Sequence, residues 1–198
     1  MLFFKGLFLA VFAYLLGSIS ASILISRAKR GGDIRKYGSG NAGATNMARI
    51  YGLSDGLLTL GADFLKALLS VWVGMRLLGD LGVAVSGLAC LAGHCFPVFY
   101  HFKGGKGVSV GAAIGLAVHW KVLLVLVAAF FSVALTTKKV SAGSVCAAAA
   151  LVVCAFVFPV GTPKMVLSVV TGLLVIWLHR ANIRRLLNGT EPDFKAAK

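Results

Sequence analysis

The chain has 198 residues, of which 59% are apolar and only 13% charged, and its formal net charge is +14. A soluble domain carries roughly 25% charged residues; this chain has too few to cover a water-facing surface, so lipid must cover much of it. The basic residues flank apolar runs and have no nucleic-acid recognition fold beside them, which argues against nucleic acid and for membrane orientation and anionic ligands.

A bilayer core about 30 Å thick takes about 20 helical residues. The uncharged run Gly6–Ser26 meets that length. Its basic cluster, Arg27, Lys29 and Arg30, follows rather than precedes it, so it reads as a first transmembrane helix and not a signal peptide. Ser54–Leu78 is apolar except for Asp63, Lys66 and Arg76, and Leu81–Phe102 follows it. Gly107–Trp120 is short: its 14 residues rise only about 21 Å. This helix is expected to start below the membrane surface and draw the preceding loop inward. Val122–Thr137, Val140–Pro163 and Met165–His179 bring the total to seven. With the amino terminus outside, 15 of the 20 basic residues, from Arg27 to Lys198, fall on the cytoplasmic face. The expectation is an all-α integral membrane protein, one domain over 1–198, with seven transmembrane helices, a short fourth helix and a cytoplasmic carboxyl terminus. Cys90, Cys95, Cys146 and Cys154 sit in apolar stretches without metal-ligand spacing and read as small core residues; neither a metal nor a cofactor is expected.

Three polar segments fall on the cytoplasmic face of this scheme. In Asp33–Arg49, three glycines allow close backbone approach, and Ser39, Asn41, Thr45, Asn46 and Arg49 offer short polar groups and a planar fork of donors. In Gly93–Val108, the glycines Gly104, Gly105 and Gly107 surround Lys106 and can expose successive N–H groups as an anion nest, next to a helix start that favours phosphate. The Gly-Lys-Ser/Thr of an ATPase loop is absent. In His179–Glu191, His179 and Asn182 share a helical face and can point into one cavity, while Arg180, Arg184 and Arg185 suit membrane anchoring. Two smaller features remain. Asp63 and Lys66 form an intramembrane pair that is either a site or mutually neutralising. Gly143-Ser144 can supply one more donor to a phosphate or simply pack helices.

Glycine-rich and basic loops on one face, partly sunk in lipid, call for a phosphorylated substrate with an apolar tail. All three segments resemble those of the bacterial acyl-phosphate:glycerol-3-phosphate acyltransferases, the PlsY family. The likeness runs through Gly-Ser-Gly-Asn-Ala-Gly-Ala-Thr-Asn at 38–46, Gly-His-Cys-Phe-Pro-Val-Phe at 93–99 with Phe-Lys-Gly-Gly-Lys-Gly-Val at 102–108, and His179, Asn182-Ile183, Arg185-Leu186 and Gly189–Glu191. Ser109-Val110 departs from the Ala-Thr expected there.

The resemblance implies acyl transfer from acyl phosphate to the 1-hydroxyl of glycerol 3-phosphate, giving lysophosphatidic acid, in a bacterial inner membrane with the active site facing the cytoplasm. None of the four histidines has an Asp five positions later, so the His–Asp pair of other glycerolipid acyltransferases is missing. On this reading Asn41, Thr45, Asn46, Gly104, Gly105, Gly107 and Ser144 hold acyl phosphate. Ser39, Arg49, Lys106, His179 and Asn182 hold glycerol 3-phosphate, and Glu191 orients a basic partner. The base is His94 or a substrate phosphate oxygen. The rival reading is a transporter or channel for an anionic solute, which calls for polar residues along several spans and a repeat between halves; neither is present in the sequence.

Overall fold

The computed structural model describes residues 1–197; Lys198, counted above on the basic face, lies outside them. The described chain is all helix and loop. Helices α1 (Leu2–Ser18) and α2 (Ala21–Arg30) divide the first apolar run at Ile19–Ser20. A single turn, Ile34–Lys36, leads to the short α3 (Ala44–Tyr51). Then come α4 (Leu53–Cys95), a turn at Val98–Tyr100, α5 (Val108–Val118), α6 (Trp120–Thr137), α7 (Val140–Val157), α8 (Thr162–Leu178) and α9 (Arg180–Leu187).

Helix α4 is two helices in fact. Leu78 and Gly79 leave helical dihedrals, with Gly79 at φ 57°, and the chain doubles back so that Gly74 and Gly82 meet backbone to backbone. The turn matches the boundary the sequence places between Ser54–Leu78 and Leu81–Phe102. Among the described residues, four helical stretches are long and apolar enough to cross a membrane: Leu2–Arg30, Leu53–Tyr100, Trp120–Thr137 and Val140–Val157. The pair α8 and α9, bent by 57°, makes a fifth.

Helix α5 is the pivot. Its 11 residues rise only about 16 Å, and it packs against α4, α6, α7 and α8. Val110, Ala113 and Ile114 are fully buried there with Leu91 and Leu167. Outward-facing side chains such as Phe8, Leu69, Trp72, Phe156 and Leu173 stay exposed, as lipid contact requires. The segment after α9 runs back across one end of the bundle. Phe194 N–H donates to Lys138 O at 2.9 Å, and Ala197 N–H to Ala48 O at 3.1 Å.

Candidate active site

The first polar segment is folded by its own side chains. Asp33 accepts from the Arg35 N–H at 3.0 Å and so closes the Ile34–Lys36 turn. Arg35 pairs with Asp33 at 2.8 Å and reaches on to the carbonyls of Tyr100 at 2.7 Å and Lys103 at 3.1 Å, clamping the first segment to the second. The guanidinium beside Asp33 pulls its carboxyl down to about 2. Asn46 is 2% exposed. Its amide donates to the carbonyls of Ile34, Tyr37 and Asn41, and its Oδ1 accepts from Ser39 N–H at 3.0 Å. Gly38, at φ 56°, turns against that oxygen where a Cβ would clash. The sequence reading gave Asn46 to the acyl phosphate; its polar atoms instead serve the loop. Among the described residues the side chains of Ser39, Asn41, Thr45 and Arg49 have no hydrogen bond, and all four line a cavity.

The second segment departs from the expected nest. Gly104 N–H donates to Cys95 O at 3.2 Å and Gly105 N–H to His94 O at 3.0 Å, so neither is free for an anion. Those bonds fold the loop back onto the end of α4, and neither glycine lines the cavity. Gly105 sits against the His94 ring, where a Cβ would strike Nε2. What faces the cavity is Lys106 with Gly107, Val108 and Ser109, that is, the lysine and the first turn of α5 with its unpaired N–H groups. His94 belongs to a buried cluster beneath this loop. Lys66 Nζ lies 2.8 Å from Asp63, 2.7 Å from Ile19 O at the break in the first span, and 3.3 Å from His94 Nδ1. Asp63 and His94 both border the cavity.

In the third segment the 57° bend falls at His179, so His179 forms the corner itself and Asn182 lies just beyond it in the first turn of α9. Both still border the cavity. His179 Nδ1 lies 2.8 Å from Val175 O. A carbonyl only accepts, so Nδ1 carries the proton, leaving Nε2 as the ring's other polar atom. Lys106 donates to Asn182 Oδ1, and the Asn182 amide donates to Glu191 at 2.8 Å. Glu191 also accepts from Ser141 at 2.6 Å and Arg185 at 2.7 Å. Burial pushes the Glu191 carboxyl up, but these three donors and the Arg185 charge outweigh it and hold it below the usual range. Burial, reinforced by Arg185 and Arg49 and opposed by Glu191, lowers the Lys106 ammonium from the usual lysine value. Ser141 was missed by the sequence reading. Its signal was its place three residues before Ser144, on the same helical face.

These parts enclose about 550 Å³. Arg49, Lys106 and Arg185 line it, while its two carboxylates, Asp63 and Glu191, are already paired. The uncommitted charge is positive, which suits anions. An apolar slot of about 620 Å³ adjoins it, with α4, α5, α6, α7 and α8 as walls. The two spaces share Leu60, Val108, Ser109, Phe130 and Ser144, so they lie side by side.

The sequence model of the glycerol-3-phosphate acyltransferases matches residues 7–189. The chain belongs to this family. Among its relatives, a glycerol-3-phosphate acyltransferase of Geobacter sulfurreducens is 44% identical, over 96% of this chain and 98% of the relative. One of Aquifex aeolicus is 40% identical, over 96% of this chain and 100% of the relative. A crystal structure of PlsY (YgiH), an integral membrane glycerol 3-phosphate acyltransferase in its glycerol 3-phosphate form, superposes with a TM-score of 0.91 at 38% identity, covering 96% of both chains. The lysophosphatidic acid form gives 0.87 at 37% identity, covering 96% of this chain and 95% of that one. This family member is therefore an all-helical integral membrane acyltransferase.

Proposed function

We propose that the protein transfers an acyl group from acyl phosphate to the 1-hydroxyl of glycerol 3-phosphate, releasing phosphate and lysophosphatidic acid. The observation that carries this reading is the basic cavity lying against an apolar slot, with five residues lining both. A phosphorylated acceptor and a phosphate leaving group need the first, and a fatty chain needs the second. Glycerol 3-phosphate binds to Ser39, Arg49, Lys106, His179 and Asn182. The acyl phosphate head binds to Asn41, Thr45, Gly107 and the first turn of α5, near Ser144, and its chain lies in the slot.

The acceptor oxygen attacks the acyl carbonyl carbon, a new C–O ester bond forms, and the carbonyl–phosphate C–O bond breaks with its electron pair leaving on phosphate. The hydroxyl proton passes to a phosphate oxygen. Nothing on the protein needs to become covalently acylated, because acyl phosphate is already activated. Rate comes from holding two anions together and offsetting their charge with Lys106 and Arg49. Asn182, held by Glu191, directs the lysine. His94 has Nδ1 beside Lys66 and Asp63 and Nε2 beneath Gly105, which favours a part in loop support over proton removal.

Seven crossings with the amino terminus outside, a cytoplasmic carboxyl terminus and an inner-membrane location complete the proposal. The reversal of α4 at Leu78–Gly79 and the gathering of basic loops at the cavity support it. The test is purified protein in detergent with palmitoyl phosphate, followed by phosphate release with and without glycerol 3-phosphate. Acceptor-dependent release with lysophosphatidic acid as product is expected; no turnover with acyl phosphate sinks the donor assignment. His94→Gln is expected to leave the shape of the pH–rate profile intact, and a lost limb would restore His94 as the base.

A further inference from the structure

The slot's wall on α4 is a stripe of Leu57, Leu60, Gly61, Phe64 and Leu65, spaced by three and four residues along one helical face. Four members are bulky and one has no side chain. A glycine inside a helix is less favourable than alanine, and in membrane proteins close helix contact commonly compensates. That compensation is visible at Gly17, packed on the backbone of Cys90, and at Gly172, packed on Ala148 and Val152. At Gly61 it is absent: a Cβ there meets nothing within 4 Å, and the backbone is ordinary right-handed helix. Neither packing nor a left-handed dihedral accounts for glycine at this position. Its open side faces the slot.

We infer that Gly61 sets the cross-section of the slot and thereby which acyl chains the enzyme takes. This rests on the proposed reaction, in which the slot's occupant is the donor chain. Across from the stripe, α5 contributes the small residues Gly111 and Ala112, and α6 contributes Leu126 and Phe130. Helices α4 and α6 border the slot without packing closely on each other. A larger side chain at position 61 therefore enters the path of the chain without displacing a neighbour. A long chain must pass this point, whereas a short one uses less of the slot.

The experiment measures kcat/KM for octanoyl and palmitoyl phosphate, with glycerol 3-phosphate saturating, on the wild type and on Gly61→Ala, Gly61→Leu and Gly61→Phe. The readout is the palmitoyl-to-octanoyl ratio, because a folding defect lowers both donors together and leaves the ratio alone. The ratio is expected to fall by about tenfold or more for Gly61→Leu, the scale of a crowded apolar pocket. Gly61→Phe falls further and Gly61→Ala stays near wild type, with KM for glycerol 3-phosphate within roughly twofold throughout. An unchanged ratio, or a parallel loss of both donors, overturns the role of Gly61. Wild-type protein that turns over neither donor overturns the acyl-phosphate reading itself, a result obtained before any variant is made.

Discussion

Lys106 borders the cavity and Lys66 lies behind its wall, against Asp63 and His94; the two lysines are partnered in opposite ways. Lys66 meets a carboxylate, a backbone carbonyl and a histidine, so its charge is cancelled where it stands. Lys106 meets only the neutral oxygen of Asn182, while Glu191, on the far side of that amide, is spent on Ser141, Asn182 and Arg185. One lysine holds architecture together, joining the broken first span to the helix that carries the second loop. The other keeps an uncancelled charge for a ligand. A buried cation thus declares its role through its partner: a carboxylate marks structure, a neutral acceptor marks a site waiting for an anion.

The largest effect should come from unbalancing the structural lysine. Asp63→Asn leaves Lys66 charged and buried, and breaking such a pair costs about 3–5 kcal/mol. Thermal unfolding in detergent should show a large drop for Asp63→Asn or Lys66→Met alone and much recovery in the double variant. Additive losses, with the double variant melting well below either single one, would show that the pair is not coupled. Lys106→Ala should behave in reverse, with a nearly unchanged melting temperature but kcat/KM lower by about 10²–10³, the usual cost of removing one preorganised charge donor.

The same lysine sets an alkaline limit. Its pKa is lowered from 10.5, so kcat/KM should begin to fall below the ordinary lysine range as the ammonium is lost. Lys106→Arg, if active, should remove that limb, since arginine stays charged. A limb unmoved in this variant would assign it to another group.

A smaller effect is expected at Glu191. Its folded pKa lies below the reference 4.5, so its contribution to stability is complete above that value and is lost as pH falls through the folded pKa. Glu191→Gln should cost about 1.5–3 kcal/mol at neutral pH, the worth of hydrogen bonds to a charged group, and should flatten the acid side of the melting profile. An unaltered acid limb would mean that another carboxylate governs it. Smallest is the Asn46→Ala change, about 1 kcal/mol for lost loop bonds. Asn46→Asp should be worse, because a carboxylate would face the carbonyls of Ile34, Tyr37 and Asn41. If either variant changed only donor KM and left melting untouched, Asn46 would return to the substrate.

Sequence alone determined the membrane class, the shortness of α5, the turn between the halves of α4 and the three polar segments. Each is a local property: apolar run length, a charge cluster at a run's end, glycine density around a lysine. Of the expected site residues, Ser39, Asn41, Thr45, Asn46, Arg49, His94, Lys106, Gly107, Ser144, His179, Asn182 and Glu191 border one cavity. Tertiary structure decided how each polar group is spent. That Asn46 folds its own loop, that Gly104 and Gly105 give their N–H groups to Cys95 and His94, and that Ser141 anchors Glu191 depend on which groups meet across the fold. A side chain's type states what it can bind, but only its neighbours in space decide whether that capacity is already used.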